Sequence, residues 1–415
     1  MVKKILISTL LVVLTSFYLF PVSFYFFPDA LNTKIILAAF GILAFAYDGI
    51  LRRTLNIRRP LLYSAIIAII FSLWCFYCVI ENGTDDMSYA KYWISFFTWS
   101  FGAYAIFFLF KNLTGSFTVR GITLYLATVC VIQCVLAEII AHNPGFQSLV
   151  DRIFVQGQEF YQEVNRMYGI GAALDPAGVR FSVVLILMAH QMSSAGKVME
   201  SVPRSLYYFV SFIVIVIIGS MIARTTWVGA GMGLIYMIVS YLNIDRGYLS
   251  GKQLQFWLLF IGLTLLTVII SALLYRYSPD FRANLRFGFE GFFNWAETGV
   301  FRTDSTDKLN RVMWVWPTDS RGWLIGYGLF DNWAFSTDIG YCRFTLYCGL
   351  VGMGLFSLFF VVNGLSLYYQ FNKMAVLPLF LIAMTFVIWL KVATDIFFIY
   401  ALFYFLEQPC TSSTT

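Results

Sequence analysis

Apolar stretches close to twenty residues long recur along almost the whole of this chain, parted by short polar turns. Wound as a helix, such a stretch crosses the ~30 Å hydrocarbon core of a bilayer. A helix also satisfies every backbone N–H and C=O from within the segment, which hydrocarbon demands. Candidate spans fall near 5–27, 33–50, 61–80, 92–110, 121–141, 177–195, 205–223, 226–243, 255–275, 341–364, 375–391 and 395–407. Lys391 and Asp395 interrupt the last two, so a re-entrant pair there would lower the total from twelve to ten. Only 12% of the 415 residues are charged, against about 25% in soluble domains, and the mean hydropathy is +0.76. A soluble globule is excluded. The expectation is an all-α, polytopic integral membrane protein forming one transmembrane domain over residues 1–415.

The net charge of +6 implies no nucleic-acid partner, because the basic residues sit mostly in short connections, where they set orientation. Lys3, Lys4, Arg52, Arg53, Arg58 and Arg59 fall on one side, against Lys34 and Lys91 on the other. The expected topology therefore has both termini cytoplasmic and the loops 142–176 and 276–340 outside. The first apolar run, to about Phe27, follows Lys3 and Lys4 as in a signal peptide. It is longer than one and has no small-residue cleavage site, so it is expected to be a retained span. Cys75 and Cys78 are read as small apolar residues on one helix face rather than as metal or redox ligands.

The outer loops carry helical patterns of their own. In the second, Phe281, Leu285, Phe289, Phe292 and Ala296 alternate with Arg282, Arg286, Glu290 and Asn294, which predicts an amphipathic helix on the membrane surface. Asp304-Ser305-Thr306-Asp307 predicts a cap for a second helix with Leu309, Val312, Met313 and Trp316 on its apolar stripe, stopped by Pro317. The first loop has a weaker stripe of Leu149, Ile153, Phe160 and Val164.

Arg224, in Arg224-Thr225-Thr226-Trp227, parts two apolar runs by only a few polar residues, so its guanidinium either snorkels to the interface or points into a protein cavity. Arg166, Arg180 and Arg311 also belong to the outer loops or their junctions. A planar guanidinium grips phosphate oxygens with two parallel hydrogen bonds, so these four arginines suit a diphosphate leaving group. Each has a plainer reading. Asp307, four residues before Arg311, suggests a surface ion pair, and Asp175, near Arg180, suits a turn. Asp338 heads a span and can cap it. Gly326 and Gly328 permit a close backbone approach to a ligand. Trp314, Trp316, Trp323 and Trp333 can stack on sugars or anchor at the interface. Asp85 and Asp86 are read as a solvated turn, so no metal is expected. His142 is either a base or an interfacial polar residue, and His190 falls near the inner end of its span.

Several of these short elements occur in an order that resembles the O-antigen polymerase (Wzy) family, within the superfamily that includes O-antigen ligases. They are Arg166-Met167-Tyr168-Gly169, Asp175-Pro176-Ala177-Gly178, Arg224-Thr225-Thr226-Trp227, Arg311-Val312-Met313-Trp314, Gly326-Tyr327-Gly328, Asp338-Ile339-Gly340-Tyr341 and Gly349-Leu350-Val351-Gly352. The resemblance covers roughly residues 160–355. It implies a GT-C-like glycosyltransferase of the bacterial inner membrane that works on the periplasmic face without cofactor or metal. Such an enzyme moves a growing glycan from undecaprenyl diphosphate onto another lipid-linked repeat unit, with membrane lipid and a chain-length regulator as partners. It further implies that Arg166, Arg224 and Arg311 hold the diphosphate, with Arg180, Tyr341, Gly326 and Gly328 as further substrate contacts, and that Asp338 orients the acceptor hydroxyl. Ligases of the superfamily carry a histidine in the large loop, and residues 276–340 contain none, which favours polymerase over ligase. A lipid-linked oligosaccharide flippase is the reading from a different class.

Overall fold

The computed structural model describes residues 2–28, 31–53, 58–157, 161, 166–193, 201–241, 251–330, 335–371 and 376–407. In chain order these form α1 (Val2–Leu19), β1 (Ser23–Phe24), α2 (Thr33–Arg52), α3 (Arg59–Asn82), α4 (Tyr92–Thr114), α5 (Val119–His142), α6 (Pro144–Ile153) and β2 (Phe154–Val155). They continue with α7 (Leu174–Met192), α8 (Val202–Ile222), α9 (Thr226–Tyr241), α10 (Gly251–Tyr277), α11 (Pro279–Gly288) and α12 (Glu290–Thr298). The remainder are α13 (Asp304–Val312), α14 (Ser320–Ile325), α15 (Gly340–Gln370), α16 (Val376–Ile388) and α17 (Phe397–Tyr404). The chain is nearly all helical, as its composition requires of a membrane-embedded protein.

Among the described residues, eight helices are long and apolar enough to cross a membrane: α1 to α5, α8, α10 and α15. The other four expected spans correspond to α7, α9, α16 and α17. α7 has nineteen residues, and α9 and α16 are shorter apolar helices. Two expectations change in detail. The first apolar run stops being helical at Leu19, because Pro21 has no N–H to donate and disfavours helix at the residue before it. Ser23 and Phe24 then pair antiparallel with Val155 and Phe154. Near the other end, α17 has only eight residues, all buried, and is too short to span. The turn before it closes on itself: Trp389 Nε1 donates to the Thr394 carbonyl at 2.8 Å, and Asp395 accepts the Phe397 N–H at 2.9 Å.

Contacts gather the chain into two compact units, residues 1–33 with 120–303, and residues 34–119 with 304–415. In the first, α7 is central and buried along nearly its whole length from Ala177. It packs most extensively on α9, and the closeness has a sequence cause. A Cβ on Gly229 would lie 2.1 Å from Ser182 Cα, so only glycine fits. Ser182 fastens the crossing by donating to the Thr225 carbonyl at 2.9 Å and accepting from the Gly229 N–H at 3.0 Å. Small residues at a helix crossing let dispersion act at short range where lipid offers no hydrophobic drive.

In the second unit, α15 packs on α3, α14 and α16 and is broken at Gly349, whose φ of +67° is left-handed. A side chain there would meet the Leu324 carbonyl. The break frees carbonyls that other groups then satisfy: Leu346 accepts from Tyr327 N–H at 2.6 Å, Tyr347 from Gly328 N–H at 3.0 Å, and Cys348 from Trp74 Nε1 at 2.9 Å.

Two glycines of α9 separate packing from propensity. Gly231, two residues beyond Gly229, has nothing within 4 Å of where a Cβ would stand. Gly229→Ala is expected to cost at least about 1–3 kcal/mol through overpacking, whereas Gly231→Ala should be neutral or stabilising by about 0.5–1 kcal/mol. Thermal melting of the detergent-purified variants checks this, and equal melting of the two would contradict the α7–α9 packing.

Candidate functional site

The polar turn after α8 is held residue by residue. Arg224 Nη1 is ion-paired with Glu290 Oε2, both side chains being mostly buried. The Thr225 hydroxyl donates to Asp175. Thr226 Oγ1 donates to the Gly219 carbonyl at 3.0 Å, and Trp227 Nε1 to the Gly288 carbonyl at 2.9 Å. The Trp227 ring also meets Phe289 and Phe292, at 4.8 and 5.2 Å between centroids. Asp175-Pro176-Ala177-Gly178 fits the same turn. A Cβ on Gly178 would come within 2.9 Å of Ala223 and Thr225 side chains. Asp175 therefore does more than begin a turn, since its carboxylate anchors the arginine-bearing segment.

The amphipathic surface helix expected over 281–296 is two helices, α11 and α12, broken at Phe289 with φ −116° and ψ 22°. Ser278 caps the first by accepting the Phe281 N–H. The break sets Glu290 in the first turn of α12, where its charge suits the helix dipole. It also leaves Phe287, near the end of α11, close to two cations. The Arg166 guanidinium carbon lies 4.0 Å from the centre of the Phe287 ring and that of Arg224 lies 4.2 Å from it. The two guanidinium groups are thus no farther apart than those distances laid end to end. Burial lowers the Arg166 pKa from its ordinary value, and Arg224 adds to this, while Asp175 and Glu290 oppose it. Four charged groups from separate segments converge here.

Arg166 owes its position to the segment before α7. Gln133, buried on α5, accepts the Ile170 N–H at 2.8 Å, and Gln156 accepts the Gly171 N–H at 2.7 Å. Tyr168 donates to Asp151 on α6. The buried face of α6 runs through Val150 with Phe146 and Phe154 against it. Leu149, expected on that face, is exposed; Phe160 and Val164 lie outside the described residues. Arg180, on α7, has its guanidinium 5.8 Å from the Phe20 ring. His142 turns back on its own helix, with Nδ1 3.4 Å from Glu138.

The remaining expected residues belong to the second unit. Arg311 is exposed in the last turn of α13, and its expected ion pair with Asp307 is absent from the ion pairs of the described residues. Val312 is exposed rather than part of the apolar stripe, whereas Met313, past the helix end, is buried against Ile339, Cys342 and Leu346. Asp338 is half-buried and is not the cap of α15. Ile339 occupies that position, with no side-chain cap. Tyr341 donates its hydroxyl to the Phe386 carbonyl at 3.0 Å. Gly326 and Gly328 both have positive φ, and any Cβ would strike Tyr347 and Cys348 backbone or the Thr84 hydroxyl, so packing accounts for both. Trp316 and Trp323 stack on one another at 5.5 Å; Trp333 lies outside the described residues. Asp85 is exposed, whereas Asp86 is half-buried and accepts from the Ser88 N–H and from the distant Phe330 N–H, so it ties two segments together and is more than a solvated turn residue.

Sequence reasoning did not single out three residues. Glu290 is legible only as part of a periodic pattern, and Phe287 falls on neither of that pattern's stripes. Arg343, an ionisable residue inside an apolar run and so a recognisable signal, donates to the Phe330 carbonyl at 2.6 Å and lies 4.2 Å over that ring. Among the described residues no cluster of three or more metal-ligating side chains occurs. Comparison with protein-family models, curated proteins and solved structures found no match.

The Arg224–Glu290 pair is expected to behave as one unit. Removing either partner strands a mostly buried charge, at a cost approaching about 3 kcal/mol. Arg224→Ala/Glu290→Ala should therefore melt closer to the wild type than either single variant. Additive losses in a double-mutant cycle would refute the coupling.

Proposed function

We propose that this protein is a membrane-embedded glycosyltransferase acting on a polyprenyl-diphosphate-linked glycan, of the O-antigen polymerase kind. The observation that carries the reading is the pair of guanidinium groups, Arg166 and Arg224, gathered on Phe287. Placing two permanent cations together in a partly buried site is costly, and a ligand with two linked phosphates is the chemistry that repays it through bidentate, charge-assisted hydrogen bonds. Glu290 and Asp175 brace the segment and temper its charge before the ligand arrives.

A lipid-linked substrate also needs somewhere for its chain. In the first unit, an apolar cleft of about 590 Å³ runs between α5, α8, α10 and α11, with Glu138, His142 and Ser278 among its polar lining. Two of its walls bear directly on the cations: α8 leads into Arg224, and α11 carries Phe287.

In the proposed reaction the acceptor hydroxyl oxygen attacks the anomeric carbon of the donor glycan. The bond from that carbon to the diphosphate oxygen breaks, and its electron pair leaves with the diphosphate. Arg166 and Arg224 stabilise the charge that develops there, and the acceptor proton passes to a carboxylate. Arg311 as a further diphosphate contact and Asp338 as the acceptor-orienting group enter through the family resemblance alone. So do the periplasmic placement and the bacterial inner membrane.

The test is polymer formation by purified protein in detergent from polyprenyl-diphosphate-linked repeat units, read as a ladder on a gel. Arg166→Ala and the Arg224→Ala/Glu290→Ala double variant should each lose about 100-fold or more in rate. Arg224→Lys should fall well short of wild type, because charge remains while the forked geometry is lost. Arg311→Ala and Asp338→Ala test the second unit separately. Undiminished ladders in both first-unit variants would sink the proposal. Polymer joined only to lipid A-core would indicate a ligase, and movement of substrate across vesicles without any glycan transfer would indicate a flippase.

A further inference from the structure

The second unit contains a cleft that the proposed reaction does not use. Its volume is about 420 Å³, and it lies between α2, α3, α4 and α17. The α4 side runs from Phe96 to Lys111, roughly 22 Å at 1.5 Å per residue, a length that suits an extended hydrocarbon chain. Phe45, Phe97, Phe101, Phe107 and Phe405 make most of the wall apolar.

Its polar groups divide into two kinds. Asp48 accepts from the Tyr104 hydroxyl at 2.5 Å, and Lys111 is ion-paired with Glu407. Arg58 and Ser100 are different. Arg58 Nη2 donates to the Leu406 carbonyl at 3.1 Å, but its Nη1 is buried with no hydrogen-bond partner among the described residues. Ser100 Oγ, on the same cleft, is likewise buried and unpartnered. A buried donor left unmade costs about 1–3 kcal/mol, and more when it is charged. Two such donors on one aromatic-walled cleft mark a place where acceptor oxygens belong. An arginine needs an anion, and the cleft beside it needs a hydrocarbon chain.

We propose that this cleft is a binding site for an anionic membrane lipid, whose phosphate accepts from Arg58 and whose acyl chain lies among the α2 and α4 phenyl rings. The Ser100 hydroxyl donates to an oxygen of the same lipid. The site belongs to the second unit alone and does not depend on the catalytic reading of Arg166 and Arg224.

The experiment uses full-length protein, delipidated in detergent and then offered phosphatidylglycerol or phosphatidylcholine, with bound lipid counted by native mass spectrometry and stability followed by melting. The wild type should retain one phosphatidylglycerol in preference to phosphatidylcholine and melt higher with it. Arg58→Gln should weaken that retention about tenfold, the loss of one charge-assisted hydrogen bond. Ala65→Trp, which fills the cleft from α3 without touching Arg58, should abolish it, and this variant carries the test if Arg58→Gln does not fold. Equal retention of the two lipids, or unchanged retention in the variants, would overturn the proposal. So would displacement of the lipid's effect by millimolar inorganic phosphate, which would mean a simple anion site.

Discussion

A permanent cation beside a membrane-length helix has to be compensated, and the Arg224–Glu290 pair is the compensation on which the first unit's polar region is arranged. Arginine cannot lose its proton in a protein, so the fold must bring a carboxylate to it. That requirement explains why the α11–α12 segment returns to the α8–α9 turn and why it breaks at Phe289. A continuous helix would carry Phe287 and Glu290 on in regular register, whereas the break lets one ring meet two guanidinium groups while the carboxylate three residues later meets one of them. Trp227 closes the arrangement by donating to the Gly288 carbonyl at the end of α11.

The same economy governs the backbone. Where α15 breaks at Gly349, its freed carbonyls are taken by Tyr327, Gly328 and Trp74. Irregular backbone in a membrane protein is tolerable only when protein supplies such partners. Gly326 and Gly328 follow from that repair, since both must pass close to the α15 or α3 backbone with positive φ. What reads in the sequence as a glycine pair suited to a ligand is, in the fold, a glycine pair suited to a neighbouring helix.

Structural bracing and chemistry are not rivals at Arg224. On the proposed reading, a group that meets a phosphate must be fixed beforehand, because reorganising a charged side chain during reaction wastes stabilisation. Glu290 and Asp175 supply that fixing, through the ion pair to Arg224 and the hydrogen bond from Thr225. Arg311 contrasts with it: exposed on a short helix, it has among the described residues none of the bracing that marks Arg166 and Arg224.

The amino-acid sequence alone determined the helical, membrane-embedded class, because hydropathy of span length leaves a backbone no other way to satisfy itself. It also located the polar turn at Arg224 and most of the helical segments, since periodicity and caps are local properties, but not the short helix α14 or the break between α11 and α12. Ends of elements were less legible: Pro21 cut short the first helix, and burial rather than length explains α17. Only tertiary structure decided that Phe287 is the shared ring, that Glu290 is the partner of Arg224, and that Ile339 rather than Asp338 stands at the N-cap position of α15. Those outcomes depend on contacts between segments as much as 121 residues apart in the chain, from Arg166 to Phe287, and no local pattern records which distant ring or carboxylate a buried charge will find.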